Sequence, residues 1–183
     1  MGRTWSRLRE GRTGPWDNIL VMADRAPALR YRKFRDEDLQ ILSPWLVAAG
    51  LGVPPGVSRE QWGRRLREDA RIVCRAGTGR DHQVVGFFRL DLAPDNTAEI
   101  TLIVAPGRRR QGFGRALLEA SLAEARRIGL RRLIAVVDVA NQAACTFFQD
   151  AGFERSGRPM EGYVLLERMV HRADHKPPIE IVT

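Results

Sequence analysis

Ala98-Glu99-Ile-Thr-Leu-Ile103-Val104, then Ala-Pro-Gly, then Arg108-Arg109-Arg110-Gln111-Gly112-Phe113-Gly114-Arg115, leads into a helical run that ends at Ile128. A strand thus feeds a basic glycine turn, and the turn feeds a helix. Two glycines one residue apart let the backbone turn tightly and come close to a ligand. The helix that follows aims its free N–H groups and positive dipole end back at the turn. Arginines crowd the same place. Such a turn binds a phosphate or pyrophosphate, and the rest of the chain must say whose.

The spacing narrows the choice. A dinucleotide fingerprint needs a third glycine, but position 117 is Leu. A Walker A loop needs Gly-Lys-Ser/Thr, which is absent here. What stands in the chain is Arg109-x-x-Gly112-x-Gly114. It resembles the acyl-CoA signature, Arg/Gln-x-x-Gly-x-Gly/Ala, of the GNAT family of N-acetyltransferases. A second stretch follows downstream: Asn141-Gln-Ala-Ala144-Cys-Thr-Phe147-Phe148-Gln-Asp-Ala-Gly152-Phe153. It resembles the family's Asn-x-x-Ala-x-x-x-Tyr-x-x-x-Gly-Phe and also follows a strand-like segment. The resemblance spans roughly residues 28–170.

Bulk properties set the frame. A chain of 183 residues suits one domain with a real core. No apolar run approaches the roughly 20 residues a membrane-crossing helix needs. The basic N-terminus is not followed by an apolar signal-peptide core, so cytoplasmic location is expected. Cys74 and Cys145 suggest neither a disulfide framework nor a metal site, and His82, His171 and His175 lack ligand spacing, so no metal is expected. The net charge of +8 is concentrated. Residues 1–35 and residues 108–132 each carry a net +6, and the remainder carries −4. Charge alone is compatible with nucleic acid, but no nucleic-acid motif accompanies it, and nucleic acid is not expected as a partner. A homodimer is compatible with the sequence.

Three segments are read. Residues 1–27 form a basic extension without periodicity, in which Met22 is an alternative initiator. Residues 28–170 form the domain, and residues 171–183 a tail. Within the domain, Leu29–Phe34 alternates as a strand, and Asp36–Ala49 is helical with Leu39, Leu42, Leu46 and Ala49 on one face. Ser58 with Gln61 is a capping-box start for a second helix to about Glu68. Strands are expected at Arg71–Arg75, Gln83–Leu92 and Ala98–Val104. A helix at Gly112–Ile128 is stopped by Gly129. A strand at Leu133–Val139 precedes a helix at Asn141–Ala151, and Phe153–Ser156 and Tyr163–Met169 are final strands. Ala98–Val104 is apolar enough to be buried on both faces, and Leu133–Val139 also reads as buried. The order β-α-α-β-β-β-α-β-α-β-β is an α/β fold. The resemblance implies a mixed sheet splayed between its fourth and fifth strands, with acyl-CoA lying in the splay.

Acyl transfer from a thioester to an amine needs a group that takes the amine's proton and donors that steady the developing oxyanion. Backbone N–H groups of Arg110, Gln111, Gly112, Phe113 and Gly114 can donate to a pyrophosphate. Arg108, Arg109, Arg110 and Arg115 can offset phosphate charge. The resemblance assigns the backbone of Ile103 and Val104 to the pantetheine arm, and the side chain of Asn141 to the same arm. Asn141 is equally a good helix N-cap. Glu99 is the candidate base, or a strand-end carboxylate facing solvent. Asp91 on the preceding strand is a weaker candidate, for the same role or for gripping a cationic substrate. Phe148 stands where many family members carry a tyrosine that protonates the leaving thiolate; a phenylalanine there can only pack, beside the pantetheine arm of the cofactor or against the next helix. Three alternatives follow: the thiolate leaves unprotonated, water or Tyr163 serves, or the chemistry is lost.

The resemblance therefore implies acetyl-CoA as the acyl donor and a small-molecule primary amine as acceptor. Trp45, Trp62 and Tyr163 could frame an amino sugar or an apolar amine, though each also reads as packing. Ser58–Trp62 with the Gly86-x-x-Arg89-x-Asp91 strand resembles the subgroup that acetylates amino sugars of nucleotide-activated precursors. The rival readings are a protein or peptide amine as acceptor, and a domain that binds acyl-CoA or a partner without turnover.

Overall fold

The computed structural model describes residues 27, 29–48, 53–157 and 161–170. The expectations for the extension and Met22, for Ala49 and for the tail fall outside the described residues. The elements run β1 (Arg30–Lys33), α1 (Asp36–Ala48), α2 (Arg59–Glu68), β2 (Ile72–Thr78), β3 (Val84–Leu92), β4 (Thr97–Val104), α3 (Phe113–Arg127), β5 (Arg132–Asp138), α4 (Gln142–Asp150), β6 (Glu154–Arg155) and β7 (Tyr163–Met169). This is the expected order, with ends displaced by a residue or so. The largest displacement is β2, which runs three residues further than expected.

The strands form one seven-stranded mixed sheet in the order β1-β2-β3-β4-β5-β7-β6. Every neighbouring pair is antiparallel except β4 and β5. That parallel pair is matched only at Thr97–Arg132, Ala98–Leu133 and Glu99–Ile134. Beyond Glu99 the two strands part. The splay lies between the strands where the family resemblance puts it.

Period-2 alternation sorts the side chains onto two faces. On one, Phe88, Leu90, Ala98, Ile100, Leu133, Ala135 and Val137 pack with α3 and α4. On the other, Cys74, Phe87 and Ile103 pack with Leu39, Leu42 and Leu46 of α1 and with Trp62 and Leu66 of α2. The expected face of α1 is the buried one as far as it is described. Trp62 is a core residue. The capping box is present: Gln61 N–H donates to Ser58 Oγ at 3.1 Å, and Ser58 N–H donates to Gln61 Oε1 at 2.9 Å.

Two strands depart from expectation. Glu99 on β4 is exposed, and so are Val136 and Asp138 on β5. These three side chains lie on the α1/α2 side of the sheet, by their alternation with Ala98, Ala135 and Val137. On that side the helices pack against β2, β3 and the end of β4. No described helix covers the β5–β7 part, so its apolar residues stay open: Val136, Tyr163 and Met169 are exposed.

Helix α3 lies very close to the sheet, because two glycines sit beneath Leu117. A Cβ on Gly77 would stand 2.7 Å from Leu117 Cδ2, and one on Gly86 would stand 2.6 Å from Leu117 Cδ1. Glu124, further along the helix, is buried and bonded by Arg75 of β2 at 2.5 Å and by Arg127 at 2.8 and 3.0 Å. These bonds satisfy a carboxylate that would otherwise be costly to bury. The helix N-terminus is thereby fixed at the open end of the splay.

Candidate active site

The glycine turn is built from unusual backbone. After Val104 the chain makes a single 3-10 turn, Pro106–Arg108. Arg110 then takes φ +60° and Gly112 takes φ +85°. The left-handed region costs an ordinary residue about 1 kcal/mol or more, and glycine almost nothing. Gly112 is the N-cap of α3 and has no side chain to cap it. The first intrahelical bond runs from Ala116 N–H to the Gly112 carbonyl. The amides of Phe113, Gly114 and Arg115 therefore have no intrahelical acceptor. Gly114 is held between Val104 and Phe147, whose Cγ2 and Cε2 lie 3.6 and 3.4 Å from where a Cβ would stand. The first turn of α3 carries no acidic residue. An anion fits this helix end by charge and by donor supply.

The arginines are not equivalent. Arg108 is tied to Asp81 of the β2–β3 hairpin at 2.6 Å. Arg109 Nε donates to the Val104 carbonyl at 3.3 Å, and Gln111 Nε2 donates to the Gly107 carbonyl at 3.1 Å. Arg110 and Arg115 make no such side-chain bond among the described residues, and both are exposed. They are the cations available to a phosphate.

The walls of the splay follow from strand alternation. Ala105 N–H donates to Val85 O, so the odd-numbered residues of β4 aim their backbone groups at β3. The C=O of Ile100 and the N–H and C=O of Leu102 and Val104 consequently face β5, where beyond the Glu99–Ile134 pairing no strand meets them. Val104 thus has its backbone on the cleft. Ile103, named with it, has its side chain in the α1/α2 core and its backbone turned to β3. The residue that shares the orientation of Val104 is Leu102.

Across the cleft, Asn141 caps α4. Its Oδ1 accepts from Ala144 N–H at 3.1 Å, which leaves its amide N–H groups for a ligand. Phe148 is buried, with its ring edge-on to Phe153 at 5.0 Å. The aromatic ring beside the glycine turn belongs to Phe147, one residue earlier. A helix turns by about 100° per residue, so neighbouring positions face different ways.

Glu99 stands where the cleft closes, in register with Ile134 on one side and with Asp91 on the other. Arg89, two residues before Asp91, bonds it at 2.6 Å. Although the side chain is partly open to solvent, desolvation of the Glu99 carboxyl pushes it above its ordinary value. Asp91 pushes it further the same way, and Arg89 opposes them. Tyr163 is on the same face but opposite Asp138, at the open end of β5. Cys74 lies in the next strand, opposite Arg89. Burial raises its thiol to about 12, which removes it as a nucleophile. Three residues at this site escaped the sequence reading: Arg89 as the partner of Asp91, Phe147 as the ring at the turn, and Leu102 as a cleft-facing backbone. The Arg-x-Asp spacing on a strand, which puts both side chains on one face, was the available signal for the first.

Comparison with known proteins agrees with this geometry. Residues 39–153 match the Acetyltransferase (GNAT) family. A mycothiol acetyltransferase of Thermomonospora curvata is 39% identical over 105 residues, covering 54% of this chain and 35% of that protein. Another, of Cellulomonas flavigena, is 45% identical over 62 residues, covering 34% of this chain and 18% of that protein. The chain therefore spans about a third or less of these curated relatives. Among solved structures, spermidine N-acetyltransferase from Vibrio cholerae in complex with CoA and spermine has a TM-score of 0.68 at 17% identity, covering 78% of this chain and 95% of that one. The ribosomal-protein-S18-alanine N-acetyltransferase from Escherichia coli has 0.63 at 19% identity, covering 81% and 98%. At these identities the structural likeness is one of fold.

Proposed function

The chain belongs to the acetyltransferase (GNAT) family, and from that premise we propose that it transfers an acetyl group from acetyl-CoA to a primary amine. One observation carries the reading. A splayed strand pair has an uncapped helix N-terminus at its open end and a carboxylate with a raised pKa at its closed end. Acetyl-CoA supplies the activated carbonyl. The amides of Phe113, Gly114 and Arg115, with Arg110 and Arg115, take the phosphates. Val104, Leu102 and the Asn141 amide take the pantetheine arm. Glu99 accepts the proton of the amine, directly or through one water. With Phe148 in the core, the thiolate leaves without help from that position. We place the protein in the cytoplasm.

We infer a small-molecule amine as acceptor. The proteins similar to this chain include mycothiol acetyltransferases and a spermidine N-acetyltransferase. The expected aromatic frame is thinner than the sequence suggested, because Trp62 is core. One observation favours a second reading, a protein or peptide amine: the sheet face beside Glu99 is open over β5 and β7, with Val136, Tyr163 and Met169 exposed.

Calorimetric titration with acetyl-CoA, CoA and NAD tests the cofactor. Micromolar acetyl-CoA binding with none for NAD is expected. A thiol-release assay then compares glucosamine, spermidine and an alanine-initiated peptide. Binding without turnover of any amine would reduce the protein to an acyl-CoA-binding domain, and no binding would end the proposal.

A further inference from the structure

Asp91 and Glu99 are directly opposed across antiparallel strands β3 and β4. Their pair belongs to the hydrogen-bonded set, because Ala93 N–H donates to Thr97 O one step along. Directly opposed Cβ atoms lie about 4.5–5.5 Å apart, and like charges so placed repel. Here the opposition is asymmetric. Arg89 lies on the same face and bonds Asp91 through Nε at 2.6 Å. No described side chain bonds the Glu99 carboxylate.

We propose that Asp91 is a positioning residue: it holds Arg89 away from Glu99, so that Glu99 keeps an unpaired carboxylate facing the cleft. Arg89 sits opposite Thr101, next in line from Glu99 on β4. Its guanidinium is within a side chain's reach of both acids. Without Asp91, and with Asp38 of α1 already held by Arg32, Glu99 is the acid left for it to bind. A carboxylate clamped by a guanidinium is a poor base, since the opposite charge favours its ionised form. The strand thus carries a cation close to the base and keeps it occupied.

The surroundings leave these two as the charges that act on Glu99. From β2, Ile72 and Cys74 share the rows of Asp91 and Arg89, and the thiol is neutral. From β5, Ile134 is apolar. On β7, Glu167 is two strands from Glu99 and is paired with Arg132 at 3.2 Å. From α1, apolar side chains pack beside the site together with one buried acid, Asp38, which lies close enough to act on Cys74 and is held by Arg32 at 2.7 and 2.8 Å.

The role rests on Glu99 as base, and the test separates the two claims. Protein with 13C-carboxyl glutamate is titrated by NMR, with the Glu99 signal assigned through Glu99→Gln. Asp91→Asn should lower the Glu99 midpoint. Arg89→Gln should raise it. The double variant should fall between the two, and Arg89→Lys should return close to the wild type. These midpoints need no substrate. In parallel, thiol release from acetyl-CoA with spermidine or glucosamine should show Asp91→Asn losing roughly tenfold in kcat, the scale of an impaired general base, with affinity for acetyl-CoA unchanged. Thermal melts identify any variant that fails to fold, and the opposed directions of two single variants cannot come from loss of structure. Singles that shift the midpoint the same way, or not at all, overturn the positioning role. Normal midpoint shifts with a Glu99→Gln rate equal to the wild type would leave the pair standing and remove Glu99 as base.

Discussion

Glu99 and Tyr163 face the same side of the sheet from opposite ends of the β4/β5 cleft. Glu99 is in register with Ile134, and Tyr163 with Asp138, four residues further along β5. At about 3.3 Å per residue, roughly 13 Å of strand separates the two levels. That spacing favours contact of Tyr163 with the bound arm of the cofactor or with the acceptor over protonation of the thiolate at a centre served by Glu99.

Tyr163→Phe is therefore expected to change kcat by less than about threefold while raising a KM. Steady-state kinetics with acetyl-CoA and the best amine found in the screen decides it. A drop of about a hundredfold in kcat at unchanged KM, the scale of a lost general acid, would return Tyr163 to the chemistry.

Gly112 is constrained by its backbone. With φ +85°, and with Pro27 Cδ 3.0 Å from where a Cβ would stand, Gly112→Ala must strain the turn by about 1–2 kcal/mol. Gly112→Asp adds a negative charge beside the open amides of α3. Both variants should melt lower than the wild type by a similar margin, but only the aspartate should abolish acetyl-CoA binding in calorimetry. Retained binding in Gly112→Asp would show that the phosphates lie elsewhere.

Much of this site could be read from the chain because its signals are local. Ser58 with Gln61, Asn141 before α4, and Gly112 at a helix start each act within four residues, so sequence order suffices. The rest depends on register and rotation. That the splay opens after Glu99 follows from three parallel pairings between segments more than thirty residues apart. That Ile103 turns to β3 while Leu102 turns to the cleft is a matter of one residue in a strand. Phe147 and Phe148 exchange roles through one step of helix rotation. The exposure of Val136 depends on how far α1 and α2 extend over the sheet, which no local pattern in β5 records.

The raised pKa of Glu99 has a consequence for stability as well as rate. Partial desolvation first, and Asp91 second, lift the carboxyl above its ordinary value near 4.5. The folded state thus binds the proton more tightly than the unfolded chain. Stability falls as pH rises from the unfolded to the folded pKa, and the penalty persists at neutral pH. Glu99→Gln should remove it: the variant melts higher than the wild type near pH 7, and the difference disappears below about pH 4, where both states are protonated. The same substitution should erase the acidic limb of the pH–rate profile while leaving acetyl-CoA affinity alone. Melting curves that separate at acid pH and merge at neutral pH would reverse the assignment.

Gly77 and Gly86 offer a graded test of how closely α3 must approach the sheet. Both lie under Leu117, but their surroundings differ. A Cβ on Gly77 is crowded by side-chain ends, Leu117 Cδ2 at 2.7 Å and Leu29 Cδ1 at 3.1 Å, while the backbone carbonyl of Gly86 stays at an ordinary 3.6 Å. A Cβ on Gly86 meets Leu117 Cδ1 at 2.6 Å and also the Ile103 carbonyl, which is backbone and cannot rotate away. Gly77→Ala should cost about 1–3 kcal/mol, the range for overpacking a core, and Leu117→Ala should partly relieve it in the double variant. Gly86→Ala should cost more, and the same second substitution should not rescue it, because the carbonyl clash remains. Since Ile103 lies between Leu102 and Val104, any relaxation at Gly86 must also move the β4 backbone that lines the cleft. Gly86→Ala protein that folds is therefore expected to bind acetyl-CoA at least about tenfold more weakly, about 1.4 kcal/mol, whereas folded Gly77→Ala protein should bind it normally. Denaturant melts and calorimetry on the four variants check both halves. Equal binding losses at the two glycines would mean that α3, and not the β4 backbone, transmits the damage.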